Sequence, residues 1–150
     1  MSSAVTQWAR GEVTWAQIEG LTKVEAHRIA ETACALAEGG NLEGARLLFE
    51  GLVEMNPRDA AVLAALGTVY QKLDRIDDAQ ASYEAALAIE GQQPVALANR
   101  GELRLLAGDD RGCEDLRRAV DADPTGITQA AQRAAAILKA WAMAEQAQRR

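Results

Sequence analysis

No stretch of the chain alternates valine, isoleucine or threonine with polar residues as a half-buried strand would. The apolar residues, many of them alanine, instead fall in runs separated by Gly, Pro, Asn and Asp. The breaks are at Gly39-Gly40-Asn41, Asn56-Pro57, Leu73 to Asp78, Glu90-Gly91, Gly108-Asp109-Asp110 and Asp123-Pro124. Alanine is the best helix former, and a core built on it lets helices pack closely. The pattern predicts an all-α chain of helices joined by short turns.

The breaks are periodic. Pro57, Gly91 and Pro124 follow one another at a period of about 34 residues, which is that of the tetratricopeptide repeat (TPR). The central unit carries Leu63, Leu66-Gly67 and Tyr70, then Ala79, Tyr83 and Ala86. These follow the TPR pattern of W-x₂-L-G-x₂-Y followed by A-x₃-F and A, with Leu63 in the tryptophan place. Gly67 and Ala79 are small where two antiparallel helices must cross, and the aspartates of the turn can cap the second helix. The first unit keeps Ala45, Phe49, Leu52 and the closing Pro57. The third opens on Pro94, which suits a helix start, and continues through Leu97, Gly101, Cys113, Leu116 and Ala119. Arg100 and Arg104 replace the Leu and Tyr of the pattern there. The expected organisation is an N-terminal helical arm (1–25), three helix-turn-helix units (26–59, 60–93 and 94–124) stacked as an α-solenoid, and a C-terminal capping helix (125–150). Three units meet the minimum for a stable stack.

In the arm, Trp8, Trp15 and Ile18 share one helical face. That face either caps the first unit or serves as a self-association or partner arm, which leaves a homodimer open. In the last helix, which Thr125 or Thr128 can start, Ile127, Ala131, Ala134, Ile137 or Leu138, and Trp141 form the apolar stripe.

Charge and chemistry narrow the function. The net charge of −6 argues against nucleic acid as a partner. No run of 18 apolar residues predicts membrane insertion, and the first ten residues do not read as a secretory signal, so a cytoplasmic location is expected. His27 is the single histidine, the serines form no nucleophile elbow, and no glycine-rich loop is followed by Lys-Ser or Lys-Thr. Neither catalysis nor a cofactor or metal is expected. Asp77-Asp78 and Asp109-Asp110 read as helix caps, and Cys34 and Cys113 as small buried thiols.

The chain resembles TPR proteins, and within them the class II (translocator) chaperones of type III secretion. That second resemblance rests on Gly39-Gly40-Asn41-Leu42-Glu43-Gly44-Ala45, Leu48-Phe49-Glu50, Leu66-Gly67, Tyr83, and Pro94 ahead of Glu102 and Gly108. The resemblance implies a concave groove lined by places 2, 5, 6, 9, 12 and 13 of each unit. In unit one these are His27, Ala30, Glu31, Cys34, Ala37 and Glu38. In unit two they are Ala61, Ala64, Ala65, Thr68, Gln71 and Lys72, and in unit three Val95, Ala98, Asn99, Glu102, Leu105 and Leu106. Place 5 is alanine three times, and Lys72 is the one groove cation besides His27. The set of Lys, Arg and Asn with which some TPR domains clamp a carboxylate is therefore missing. A small-residue groove suits an apolar or unstructured segment of another protein. The expected function is a chaperone-type binding module, with a structural adaptor bound through its terminal helices as the alternative. Thr68→Arg and Ala64→Glu are expected to charge the groove without disturbing the helix-pair core.

Overall fold

A computed structural model describes residues 22–150. Among them are seven α-helices and no strand: α1 (Lys23–Glu38), α2 (Leu42–Met55), α3 (Ala60–Lys72), α4 (Ile76–Ile89), α5 (Pro94–Leu106), α6 (Arg111–Ala122) and α7 (Gln129–Gln148). The face proposed for Trp8, Trp15 and Ile18 lies outside the described residues. No described helix is long and apolar enough to cross a membrane.

Polar residues fix most of the helix starts. Thr22 and Glu25 form a reciprocal capping box ahead of α1, so this helix begins before Ala26, where the first repeat was expected to open. Asn41, Asp59, Gln93 and Thr128 accept backbone N–H donors two or three residues into α2, α3, α5 and α7. Among the paired aspartates, arginines are prominent partners. Asp78 binds Arg75 at 2.8 Å, Asp109 binds Arg111 at 2.7 Å, and Asp110 makes no side-chain cap. Asp109 also accepts the backbone N–H of Arg111, the first residue of α6, at 3.0 Å. The Arg111 hydrogen bonds hold the Asp109 carboxyl down to about 2.

Three turns share one construction. Gly40, Asp74 and Gly108 have φ of 88°, 59° and 77°, in the left-handed region. The next residue in each case donates its N–H back to the carbonyl five positions earlier: Asn41 to Leu36, Arg75 to Tyr70 and Asp109 to Arg104. This closes the helix end and reverses the chain. The three turn residues recur once per repeat, at the same place in each.

The described residues form two compact units that divide between Ser82 and Tyr83. In the first, Ile29 and Ala33 of α1, Ala45, Leu48, Phe49 and Leu52 of α2, and Leu66 and Val69 of α3 share one core. The Tyr70 hydroxyl donates to Glu50 at 2.6 Å, Arg46 binds the same carboxylate, and Arg75 lies 4.6 Å over the Tyr70 ring. Burial, then the Glu50 hydrogen bond, pushes the Tyr70 hydroxyl up to about 12, so it remains a donor.

In the second unit, Leu97 and Ala98 of α5, Leu116 and Ala119 of α6 and Ala134 of α7 form the core. Here α5 and α6 cross on two glycines. A Cβ on Gly112 would strike the Gly101 carbonyl oxygen, and one on Gly101 would stand 2.8 Å from Leu116 Cγ. Beside the crossing, Asp115 is buried and binds Arg100 at 2.8 Å and Arg104 at 2.7 Å. The two arginines that depart from the repeat pattern thus have a shared partner on the facing helix.

Asp123 organises the entry to α7. It accepts from Thr125 Oγ1 and from the Thr128 backbone N–H, both at 2.6 Å, and these bonds depress its carboxyl to about 2. A depressed carboxyl stabilises the fold above its unfolded value, near 4, and loses that contribution as pH falls through its folded value. Asp123→Asn is therefore expected to be less stable than wild type at neutral pH. The gap should close between about pH 4 and pH 2, which urea melts along a pH series will test. Ile127, expected on the apolar stripe of α7, is 77% exposed and precedes the helix.

Candidate functional site

The first helix of each repeat has an open stripe and a packed one. On α1 the open stripe is His27, Glu31, Cys34 and Glu38, all exposed. On α3 it is Ala61, Ala65, Thr68 and Lys72, exposed at the ends and half-buried between. These are the same places, one repeat later. The packed stripe of α3 is Ala60, Leu63, Ala64 and Gly67. Successive members of either stripe are three or four residues apart, so they share one face of the helix.

This geometry corrects the sequence-derived lining. Ala64 is 1% exposed and Ala98 lies in the core of the second unit, so neither presents a side chain to a partner. Place 5 of the repeat packs against neighbouring helices, which is why it stays small. Ala64→Glu would bury a carboxylate, so it cannot test the surface. Ala30 and Ala37 are half-buried against the core of the first unit. Gln71 and Leu105, at place 12, are also half-buried. Cys34 is exposed rather than buried, while Cys113 is buried as expected. Partial burial, then the Glu38 and Glu31 carboxylates, raises the Cys34 thiol above its ordinary value, which suppresses the nucleophilic thiolate.

On α5, in the second unit, the same places of the repeat are Val95, Asn99, Glu102 and Leu106. Val95 is half-buried and Leu106 is 79% exposed. Asn99 is buried, because its amide donates to the Tyr83 hydroxyl at 3.1 Å and its carbonyl accepts from Arg133 of α7. Arg133 also pairs with Glu102 at 3.3 Å. Arg133 lies off the apolar stripe read from the sequence for the last helix. Its position, one repeat after Asn99, was the available signal that α7 repeats the first-helix stripe, with Gln129, Arg133, Ala136 and Ala140 all exposed.

Within the first unit the two stripes flank a cavity of about 540 Å³. Ala26 and Ala30 of α1, Leu52 and Met55 of α2, and Ala61 and Val62 of α3 supply apolar walls. Thr22, Lys23, His27, Asn56 and Asp59 supply the polar part of the lining. Of the predicted residues, His27, Ala30 and Ala61 meet here. Leu52 and Met55 were missed because the family pattern assigns the groove to first helices, whereas these come from the end of a second helix. Among the described residues, no His, Cys, Asp and Glu cluster could hold a metal ion.

Residues 36–103 match the family model for the tetratricopeptide repeat. The chain contains TPR repeats and has the all-α TPR-type fold. Among solved structures it is similar to the Yersinia enterocolitica type III secretion translocator chaperone SycD, with a TM-score of 0.73 and 18% identity over 87% of this chain and 92% of that one. It is also similar to PcrH, the Pseudomonas aeruginosa protein, in complex with the chaperone binding region of PopD. That match has a TM-score of 0.72 and 22% identity, covering 84% and 97% of the two chains. The first TPR of Spaghetti, bound to the HSP90 peptide SRMEEVD, gives a TM-score of 0.71 and 16% identity over 85% and 98%. These likenesses concern the fold. No curated protein matches the sequence.

Proposed function

We propose that this chain is a cytoplasmic, non-catalytic binding module. It holds an extended, largely apolar segment of another protein against the first-helix stripes of its first unit, in the manner of a secretion chaperone. The cavity of the first unit carries this reading. It is open, walled by small and aliphatic side chains, and sized for one or two apolar side chains of a bound segment. The chaperone PcrH, which has the same fold, takes up a chaperone binding region of PopD. The Spaghetti TPR takes an acidic peptide. Along the open stripes of α1 and α3, Glu31 and Glu38 outnumber Lys72, so an apolar segment suits this surface better than an acidic one.

The test is a tagged capture from the native cytosol, with partners identified by mass spectrometry. Ala61→Glu and Thr68→Arg replace the variant pair first expected to serve. Ala61 is exposed, at the second position of α3, where a carboxylate favours the helix dipole. We expect the double variant to keep the wild-type helical spectrum and to lose its apolar partner, by roughly tenfold or more for a desolvated charge worth at least about 1.4 kcal/mol. Retention of the same partners would reject this surface and favour an adaptor bound through its ends.

A further inference from the structure

Three turns pass the chain from a second helix to the next first helix, and two of them are fastened by side chains from the helices that follow. At the turn between α4 and α5, Arg118 of α6 donates to the Gly91 carbonyl. Gln93 of that turn is buried, and its side chain accepts the Ala96 N–H at 2.8 Å. At the turn between α6 and α7, Asp123 accepts from the Thr125 hydroxyl and the Thr128 N–H, and Gln132 of α7 donates to the Gly126 carbonyl at 2.8 Å. The turn between α2 and α3 is closed only by its neighbours. The Asn56 side-chain oxygen accepts the Arg58 N–H at 3.2 Å, and Asp59 Oδ1 accepts the Val62 N–H at 3.1 Å. Among the described residues, Asn56 Nδ2 and Asp59 Oδ2 have no partner. Asn56 and Asp59 both line the apolar cavity of the first unit.

We propose that Asn56 and Asp59 read the main chain of the segment held in that cavity. The Asn56 amide donates to one of its carbonyls and Asp59 Oδ2 accepts one of its N–H groups, while a side chain of the segment enters between Leu52, Met55 and Val62. This rests on the peptide-binding role proposed above and adds what fixes the segment in place. An apolar cavity selects by size, and a few polar groups at its edge set orientation. A segment laid on aliphatic walls also loses water from its peptide groups, which is costly unless they find new partners. One donor and one acceptor leaving the same turn answer both needs. The turn is tight, since the Asp59 N–H donates to the Asn56 carbonyl at 3.4 Å. A bond to a carboxylate is the stronger of the two, because it is charge-assisted.

Two near-isosteric changes separate this role from folding. Asp59→Asn keeps an oxygen for the Val62 N–H, and asparagine caps a helix as well as aspartate does. It puts a donor where the N–H of the segment must arrive. Asn56→Asp keeps the oxygen for the Arg58 N–H and turns the donor into an acceptor. Both variants should melt with wild type. The probe is the capped peptide Ac-Ala-Ala-Phe-Ala-Ala-NH2, beside the same peptide methylated on the phenylalanine nitrogen. Each is titrated into the full chain and followed by the amide NMR shifts of Ala30, Ala61 and Val62. Wild type should bind the parent peptide about three- to tenfold more tightly than the methylated one. Asp59→Asn should bind both at the weaker level, and Asn56→Asp should weaken both alike, since both keep the carbonyl. Equal binding of the two peptides by wild type, or continued discrimination by Asp59→Asn, would overturn the inference and leave the cavity as an apolar peptide site. If neither peptide moves these signals in wild type, the peptide-binding role falls with it.

Discussion

Asp115→Ala is expected to cost about 3–5 kcal/mol and to lower the melting temperature by roughly 10 °C. The carboxylate is buried and holds Arg100 and Arg104 at 2.8 and 2.7 Å, with Arg118 at 4.0 Å. Removing it leaves two guanidinium groups in a poorly hydrated helix interface with no counter-charge. The loss should therefore exceed what three hydrogen bonds are worth. A second variant separates the pair's net value from the cost of breaking it. In the preceding repeat the corresponding positions are Leu66, Tyr70 and Ser82. The triple change Arg100→Leu, Arg104→Tyr, Asp115→Ser should bring stability back to near wild type, because replacing a buried ionic group as a whole is often neutral. Thermal and urea melts of both proteins decide it. A wild-type melt for Asp115→Ala would mean that the arginines reach water when their partner is gone.

The second large effect is at the α5–α6 crossing. Gly112→Ala should destabilise the protein by about 2 kcal/mol, even though alanine is worth up to about 1 kcal/mol more than glycine in a helix interior. Overpacking a closed interface typically costs 1–3 kcal/mol, and here the new methyl meets backbone as well as side-chain atoms. It would press on the Gly101 carbonyl and stand 3.0 Å from the Leu105 nitrogen. A flexible side chain could turn aside, but backbone can give way only by separating the helices. A stability equal to or above wild type would show that the two helices can part without loss.

Much of the fold was legible because turns and small residues mark the repeat in one dimension. Gly39-Gly40-Asn41 and Gly108-Asp109 announce left-handed helix ends, and Asp74 fills the equivalent place in the middle repeat. Gly101 stands one full repeat after Gly67. Its counterpart across the crossing, Gly112, is hidden in the sequence behind Cys113, because the third unit has one residue fewer between Gly108 and Leu116 than the second has between Asp74 and Tyr83, which shifts the register of α6. The site was less legible. A repeat pattern names places in a helix, but whether a place faces solvent depends on what packs beside it. Place 5 at Ala64 and Ala98 is packed, and Asn99 at place 6 is covered by Arg133 from a helix outside the three expected units. Arg100 and Arg104 look like lapses from the pattern until Asp115, on another helix, supplies their reason.

The capping box at Thr22 has a further consequence. The Thr22 backbone N–H donates to Glu25 at 2.7 Å, and the Glu25 N–H returns to the Thr22 hydroxyl at 3.3 Å. Two backbone donors at the start of α1 are thus satisfied by a single pair of side chains. The two bonds are one latch: a change at either Thr22 or Glu25 opens both, so the first turn of α1 is held or released as a unit rather than fraying donor by donor.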